Sequence, residues 1–161
     1  MIVTYQDQVY ALVTRLLYRH QHQVDDVSQD VFLKVIRAIG QFDRAGPARL
    51  STWILTIATR TCFDVLSKHQ RHQQLDGQWL RPAVPSNLEV EVAHNQLAGQ
   101  VSRAVDELPE DHRTVLVLRA FHELDYDEIA KILKVEPGTV KSRLNRARER
   151  LRALFPGASH G

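Results

Sequence analysis

Apolar side chains recur along this chain at helical rather than strand spacing. Over residues 5 to 18 they fall at Val9, Leu12, Val13, Leu16 and Leu17, which predicts a helix with one buried stripe. A second helix is expected from Asp25, where a carboxylate can cap free N–H groups and Asp26 and Asp30 suit the positive end of the helix dipole. Its stripe is Val27, Val31, Val35 and Ile39, widened by Phe32 and Ile36, and Gly40 is the expected stop. Gly and Pro together mark residues 43–49 as a loop. A third helix follows with Ser51 as its cap. Trp53, Ile54, Ile57, Ala58, Cys62 and Val65 lie at helical intervals, and the pattern fades at Lys68 and Arg71.

Residues 69–90 lose the period. Glutamines, histidines, Gly77, Pro82 and Pro85 replace it, and the segment is expected to be a flexible linker. Helical spacing returns near Glu91, with Val101, Ala104, Val105 and Leu108 on one face. Pro109 favours a new helix start. Asp125 with Glu128 three residues on reads as a capping box, and Ile129, Ile132 and Leu133 supply the apolar face behind it. The short stretch Lys134-Val135-Glu136 precedes a last helix that Glu136-Pro137 opens and Pro156-Gly157 stops. No long strand-like alternation appears. The expected fold is all-α: two small helical domains at 1–68 and 91–156, a linker at 69–90, and a tail at 157–161.

Composition narrows the class without naming it. The chain has 161 residues, 43% hydrophobic and 25% charged, as in ordinary globular proteins. Its net charge of +2 does not by itself point to nucleic acid. With Cys62 as the single cysteine, neither an intrachain disulfide nor a CxxC metal knuckle can form, which fits a reducing cytoplasm. Neither a signal peptide nor a membrane-length apolar run is recognisable. No Gly-rich phosphate loop, GxSxG elbow or paired-carboxylate cleft stands out, so the chain is not expected to be an enzyme or to need a cofactor or small-molecule substrate. His20 with His22 and His69 with His72 lack a fitting carboxylate or thiolate, and are read as solvated histidines rather than metal ligands.

Charge distribution says more than net charge. Between 139 and 152 the last helix carries Lys141, Arg143, Arg146, Arg148, Arg150 and Arg152 against the single acid Glu149. Val140, Leu144, Ala147, Leu151 and Leu154 form its apolar stripe, so the basic groups crowd the other faces, an arrangement that favours a polyanion. Two short helices joined by about three residues are the layout of a helix-turn-helix, whose second helix enters the major groove. Lys141 and Arg146 can reach guanine edges or phosphates, Asn145 can pair with adenine, and Ser142 can donate or accept. On the second helix, Asp26, Gln29, Asp30, Leu33 and Arg37 share a face opposite the buried stripe. Leu33 is the apolar centre of a polar rim, a pattern suited to docking on another protein.

These segments resemble a known family. Asp25-Asp26-Val27-Ser28-Gln29-Asp30-Val31-Phe32-Leu33-Lys34-Val35 is similar to the polymerase-binding helix of bacterial sigma factors. The stretch Leu50-Ser51-Thr52-Trp53-Ile54-Leu55-Thr56-Ile57-Ala58 resembles the helix that meets the promoter −10 element. Gly138-Thr139-Val140-Lys141-Ser142-Arg143-Leu144-Asn145-Arg146-Ala147-Arg148, with Leu108-Pro109-Glu110 and Tyr126-Asp127-Glu128-Ile129-Ala130 before it, resembles the −35-reading domain of the extracytoplasmic-function group. The resemblance implies that Asp26, Gln29, Asp30, Leu33 and Arg37 bind core RNA polymerase. It implies that Asp43, Arg44, Arg49, Thr52, Thr56, Arg60 and Lys68 meet −10 promoter DNA, with loop 43–49 capturing a flipped base. Thr139, Lys141, Ser142, Arg143, Asn145 and Arg146 would meet the −35 element. An anti-sigma factor is the implied regulator.

Two departures carry consequences. Thr59-Arg60 replaces a common Arg-Asn pair, so the family's −10 preference does not transfer. Lys134 stands at a usual turn glycine, where a left-handed backbone would cost about 1 kcal/mol, and an adjusted turn is expected. The competing reading from another class is a dimeric helix-turn-helix repressor or activator that needs no polymerase; it predicts palindromic binding by the free protein and gives Leu33 no role. A protein–protein adaptor would instead bind with little sensitivity to salt.

Overall fold

The computed structural model describes residues 2–76 and 95–155. The chain divides into two compact units, Met1–Ala83 and Val84–Gly161. All regular structure among the described residues is helical. Expectations for linker residues 77–90, a helix start at Glu91, the stop at Pro156-Gly157 and the tail at 157–161 lie outside the described residues. None of the described helices is long and apolar enough to cross a membrane.

The first unit is built from α1 (Ile2–Leu16), α2 (Val24–Ala38) and α3 (Leu50–Asp76), each packed on the other two. Val9, Leu12, Val13, Leu16 and Leu17 from the first stripe are at most 1% exposed, and they meet Val27, Val31 and Val35 of α2 and Ile54, Leu55, Ala58 and Cys62 of α3. Each fully buried aliphatic side chain contributes about 1.5–3 kcal/mol, so this aliphatic seam fixes how the helices pack. Burial also pushes the Cys62 thiol up to about 12, which leaves it a core residue.

Several predicted details change. Helix α2 begins at Val24 and Gln23 precedes it without a side-chain cap, so Asp25 lies inside the first turn. There its negative charge raises the pKa of Tyr10 above the usual tyrosine value. Ser51 lies within the first turn of α3, not at its cap. Gly40 does not stop α2 at a left-handed turn; the helix tightens into a 3-10 turn at Ile39–Gln41. Ile36, assigned to the buried stripe, is 52% exposed.

The largest revision concerns residues 69–76, expected in the linker. They continue α3 to Asp76. Gln70, Arg71 and Gln74 are adequate helix formers, and no glycine or proline intervenes before Gly77. His69 anchors this extension. Its Nε2 lies 3.0 Å from Gln23 Oε1, and its ring stacks on His20 at 4.2 Å between centroids. These two histidines are therefore half-buried packing groups, not simply solvated ones.

The second unit comprises α4 (Asn95–Asp106), α5 (Glu110–Ala120), α6 (Tyr126–Leu133) and α7 (Pro137–Leu154). Val115, Val117, Leu118, Ile129, Val140, Leu144 and Ala147 form its core at 0% exposure. Arg113, 5% exposed, donates from Nη1 to the carbonyls of Asp106 at 3.0 Å and Leu108 at 3.2 Å, closing the C-terminal end of α4. Arg119 donates to Leu124 O at 3.0 Å and lies over the Tyr126 ring, ordering the approach to α6. Val101 and Leu154, predicted on buried stripes, are 39% and 55% exposed; Leu154 is the last residue of α7, whereas Val101 lies in the middle of α4.

Candidate nucleic-acid and partner interfaces

The geometry of α6, its turn and α7 follows from local chemistry. Asp125 accepts from the Glu128 N–H at 2.8 Å, and Glu128 accepts in return from the Asp125 N–H at 3.0 Å, completing the predicted capping box. The helix ends with Lys134 at φ 55 and ψ 48, a left-handed conformation. The turn is therefore not adjusted around the lysine; the lysine takes the glycine-like geometry. The Lys134 and Val135 N–H groups both donate to Ala130 O, the latter at 3.1 Å, so one helix-end carbonyl is shared between two donors. Glu136 and Pro137 then start α7 as expected, with proline where its missing donor costs nothing.

With Val140, Leu144 and Ala147 buried, α7 turns Lys141, Ser142, Asn145 and Arg146 outward. Arg148, Arg150 and Arg152 are also exposed farther along the helix. Thr139 is half-buried, and its carbonyl accepts from Ser142 Oγ at 3.0 Å.

Arg143 departs from the predicted reading set. It lies on the flank facing α5 and forms a 2.8 Å ion pair with Asp111, its side chain 24% exposed. It ties the basic helix to its own domain. On the same flank, His112 Nδ1 is buried without a hydrogen-bond partner. Burial first, then the charges of Arg150 and Arg146, hold this imidazole below the ordinary histidine range; Asp111 opposes that trend and Arg143 adds to it. A cluster of cations that disfavours one more proton is a surface suited to an anion.

In the first unit, Asp26, Gln29, Asp30, Leu33 and Arg37 all lie exposed on the outer face of α2. Leu33 is 50% exposed, and Ile36, 52% exposed rather than buried with its stripe, joins it three residues on. The i to i+3 spacing was the available signal for that pairing. Asp30 is bridged to Lys34 at 3.1 Å, and Lys34 also donates to Thr61 Oγ1 at 3.2 Å, so this rim is tethered to α3.

The loop before α3 leaves Asp43, Arg44 and Arg49 exposed. Phe42 packs against Trp53 at 5.3 Å between ring centroids, tying its start to the helix. On α3, Arg60 and Lys68 are exposed, whereas Thr56 is half-buried and donates to Thr52 O at 2.7 Å. Thr52 is 9% exposed and is withdrawn as a DNA contact.

Comparisons with known proteins match this arrangement. A family model described as Sigma-70 region 2 matches residues 1–72, and one described as Sigma-70, region 4 matches residues 98–151. The RNA polymerase sigma-H factor of Pseudomonas aeruginosa is 31% identical over 168 residues, covering 97% of this chain and 85% of the relative. The ECF RNA polymerase sigma factor SigW of Bacillus subtilis is 32% identical over 158 residues, covering 92% and 83%. Among solved structures, the sigma factor RpoE in complex with the anti-sigma factor NepR from Bartonella quintana aligns with a TM-score of 0.80 at 23% identity, covering 98% of this chain and 95% of that one.

Proposed function

The chain belongs to the sigma-70 family, in its extracytoplasmic-function group, and from that premise we propose which surface does what. As a sigma factor it binds core RNA polymerase and directs promoter-specific initiation of transcription. The outer face of α2 docks on the polymerase, with Leu33 and Ile36 as the apolar centre and Asp26, Gln29 and Arg37 around them. Loop 43–49 and the exposed Arg60 and Lys68 meet the −10 element. Lys141, Ser142, Asn145 and Arg146 read the −35 element. Arg148, Arg150 and Arg152 add phosphate contacts.

The observation that carries this reading is the division of α7 into a buried aliphatic stripe and an outward face of base- and phosphate-seeking groups, held behind a capped helix and a three-residue turn. RNA synthesis is the polymerase's chemistry, so the chain acts without catalysis of its own, in the cytoplasm where polymerase and promoter meet. An anti-sigma factor covering the α2 face or the basic helix supplies the control; the solved relative is itself seen with such a partner.

The decisive assay adds the protein to core polymerase and maps RNA start sites on promoters with altered −35 sequences at two salt concentrations. Arg146→Ala should flatten the −35 preference, since a base-reading contact contributes about 1–3 kcal/mol of discrimination. Arg152→Ala should weaken all promoters evenly and lower the salt dependence. No polymerase-dependent initiation at defined sites refutes the assignment. Unchanged −35 preference in both Arg146→Ala and Asn145→Ala refutes the reading face alone.

A further inference from the structure

We propose that Asp43 is a positioning residue, whose carboxylate shapes the loop that presents Arg44 to DNA, and that Gly46 is fitted to that carboxylate. The proposal rests on the reading that loop 43–49 meets the −10 element. Asp43 Oδ1 accepts from the Ala45 N–H at 2.9 Å, and the Asp43 carbonyl accepts from the Gly46 N–H at 3.3 Å. Together these bonds close a four-residue turn, with aspartate at the position where its side chain can mimic a backbone acceptor. Arg44 and Ala45 are the exposed tip.

Gly46 fits the same device. A Cβ there would come 3.0 Å from Asp43 Oδ2, 3.2 Å from Cγ and 3.3 Å from the Asp43 carbonyl oxygen. A side chain at 46 therefore displaces the carboxylate that closes the turn. Pro47 follows, and its ring disfavours helical backbone at residue 46, which narrows how the loop can yield. Electrostatics agrees with this assignment. A carboxylate aimed at a phosphate-rich strand meets like charge, whereas one engaged with its own loop amides leaves Arg44 and Arg49 as the charges offered outward. Asp43 thus acts through Arg44 and the loop backbone.

The test uses polymerase reconstituted with the full chain, in competition among promoters altered in the −10 or the −35 element. Asp43→Asn keeps an oxygen for the Ala45 N–H and should retain −10 discrimination. Asp43→Ala should lower it about fivefold, the effect of one ordinary hydrogen bond. Gly46→Ala should lower −10 discrimination in the native chain but add less to Asp43→Ala, because the two closest contacts are to the carboxylate and only the 3.3 Å contact with the backbone carbonyl oxygen then remains. Discrimination at −35 and the melting temperature should stay unchanged in all three, which separates positioning from general damage. If Asp43→Asn is as poor as Asp43→Ala, the charge itself makes the contact and the proposal is overturned. The same holds if Asp43→Ala has no effect while Arg44→Ala reduces −10 discrimination; the loop's contact with DNA then survives without the positioning role. If Arg44→Ala and Asp43→Ala both leave −10 discrimination intact, the loop does not meet that element and both readings fall.

Discussion

Lys134 offers a measurement of what the turn between α6 and α7 costs. It sits at φ 55 and ψ 48, exposed, directly after the last residue of α6. A side chain in that conformation brings Cβ close to the backbone, a cost of roughly 1–2 kcal/mol that glycine avoids. Glycine has more freedom in the unfolded chain, which offsets roughly 0.4–1 kcal/mol of that gain. The comparison that isolates the backbone is Lys134→Gly against Lys134→Ala. Both remove the positive charge near the C-terminal end of α6, and with it the same favourable dipole interaction. Only glycine also relieves the strain. The glycine variant should therefore be more stable by about 1 kcal/mol, or about 4–8 °C in melting temperature for a domain of this size. Circular dichroism melts of the full chain supply the temperatures, and hydrogen exchange of the Val135 amide, bonded to Ala130 O, assigns the change to this turn. Equal melting temperatures, or a more stable alanine variant, would show that the turn holds no such strain.

Three further outcomes follow from particular contacts. Leu33→Asp and Ile36→Asp should each reduce co-purification with core polymerase, by about tenfold or more for a central interface anchor, yet hardly move the melting temperature, since both side chains are half-exposed. Normal co-purification by a folded Leu33→Asp protein would rule out this docking face. Arg113→Met should destabilise the second unit by about 2 kcal/mol, because the Asp106 and Leu108 carbonyls lose a buried donor; an unchanged melt would contradict that role. The pKa of His20 is lowered by burial first, then by His69, His22 and Arg19, so the folded protein holds its proton less firmly than the unfolded chain. Its contribution is fully present above the unfolded histidine value and is lost as pH falls through the lower folded value. The melting temperature should therefore drop on acidification below about 6.5. His20→Gln should flatten that drop, and an identical pH profile in the variant would remove His20 as its source.

Much of the architecture was legible in the order of residues, for a local reason. Helix periodicity, the Asp125–Glu128 capping box, Pro137 at a helix start and the buried Val140-Leu144-Ala147 stripe all depend on neighbours within about one turn or two. The motifs along α2, α3 and α7 likewise indicated the family. Tertiary structure decided matters that depend on distant partners. It extended α3 to Asp76, where His69 meets His20 and Gln23 from another part of the chain. It turned Arg143 toward Asp111 and placed Thr52 inside. It left Ile36 facing outward beside Leu33, although periodicity alone had put Ile36 in the core. A stripe of apolar residues tells which way a helix leans, but the width of the buried face is set by the helices packed against it. For that reason the sequence by itself determined the elements and their chemistry, and only the packing determined which side chains remain free to meet a partner.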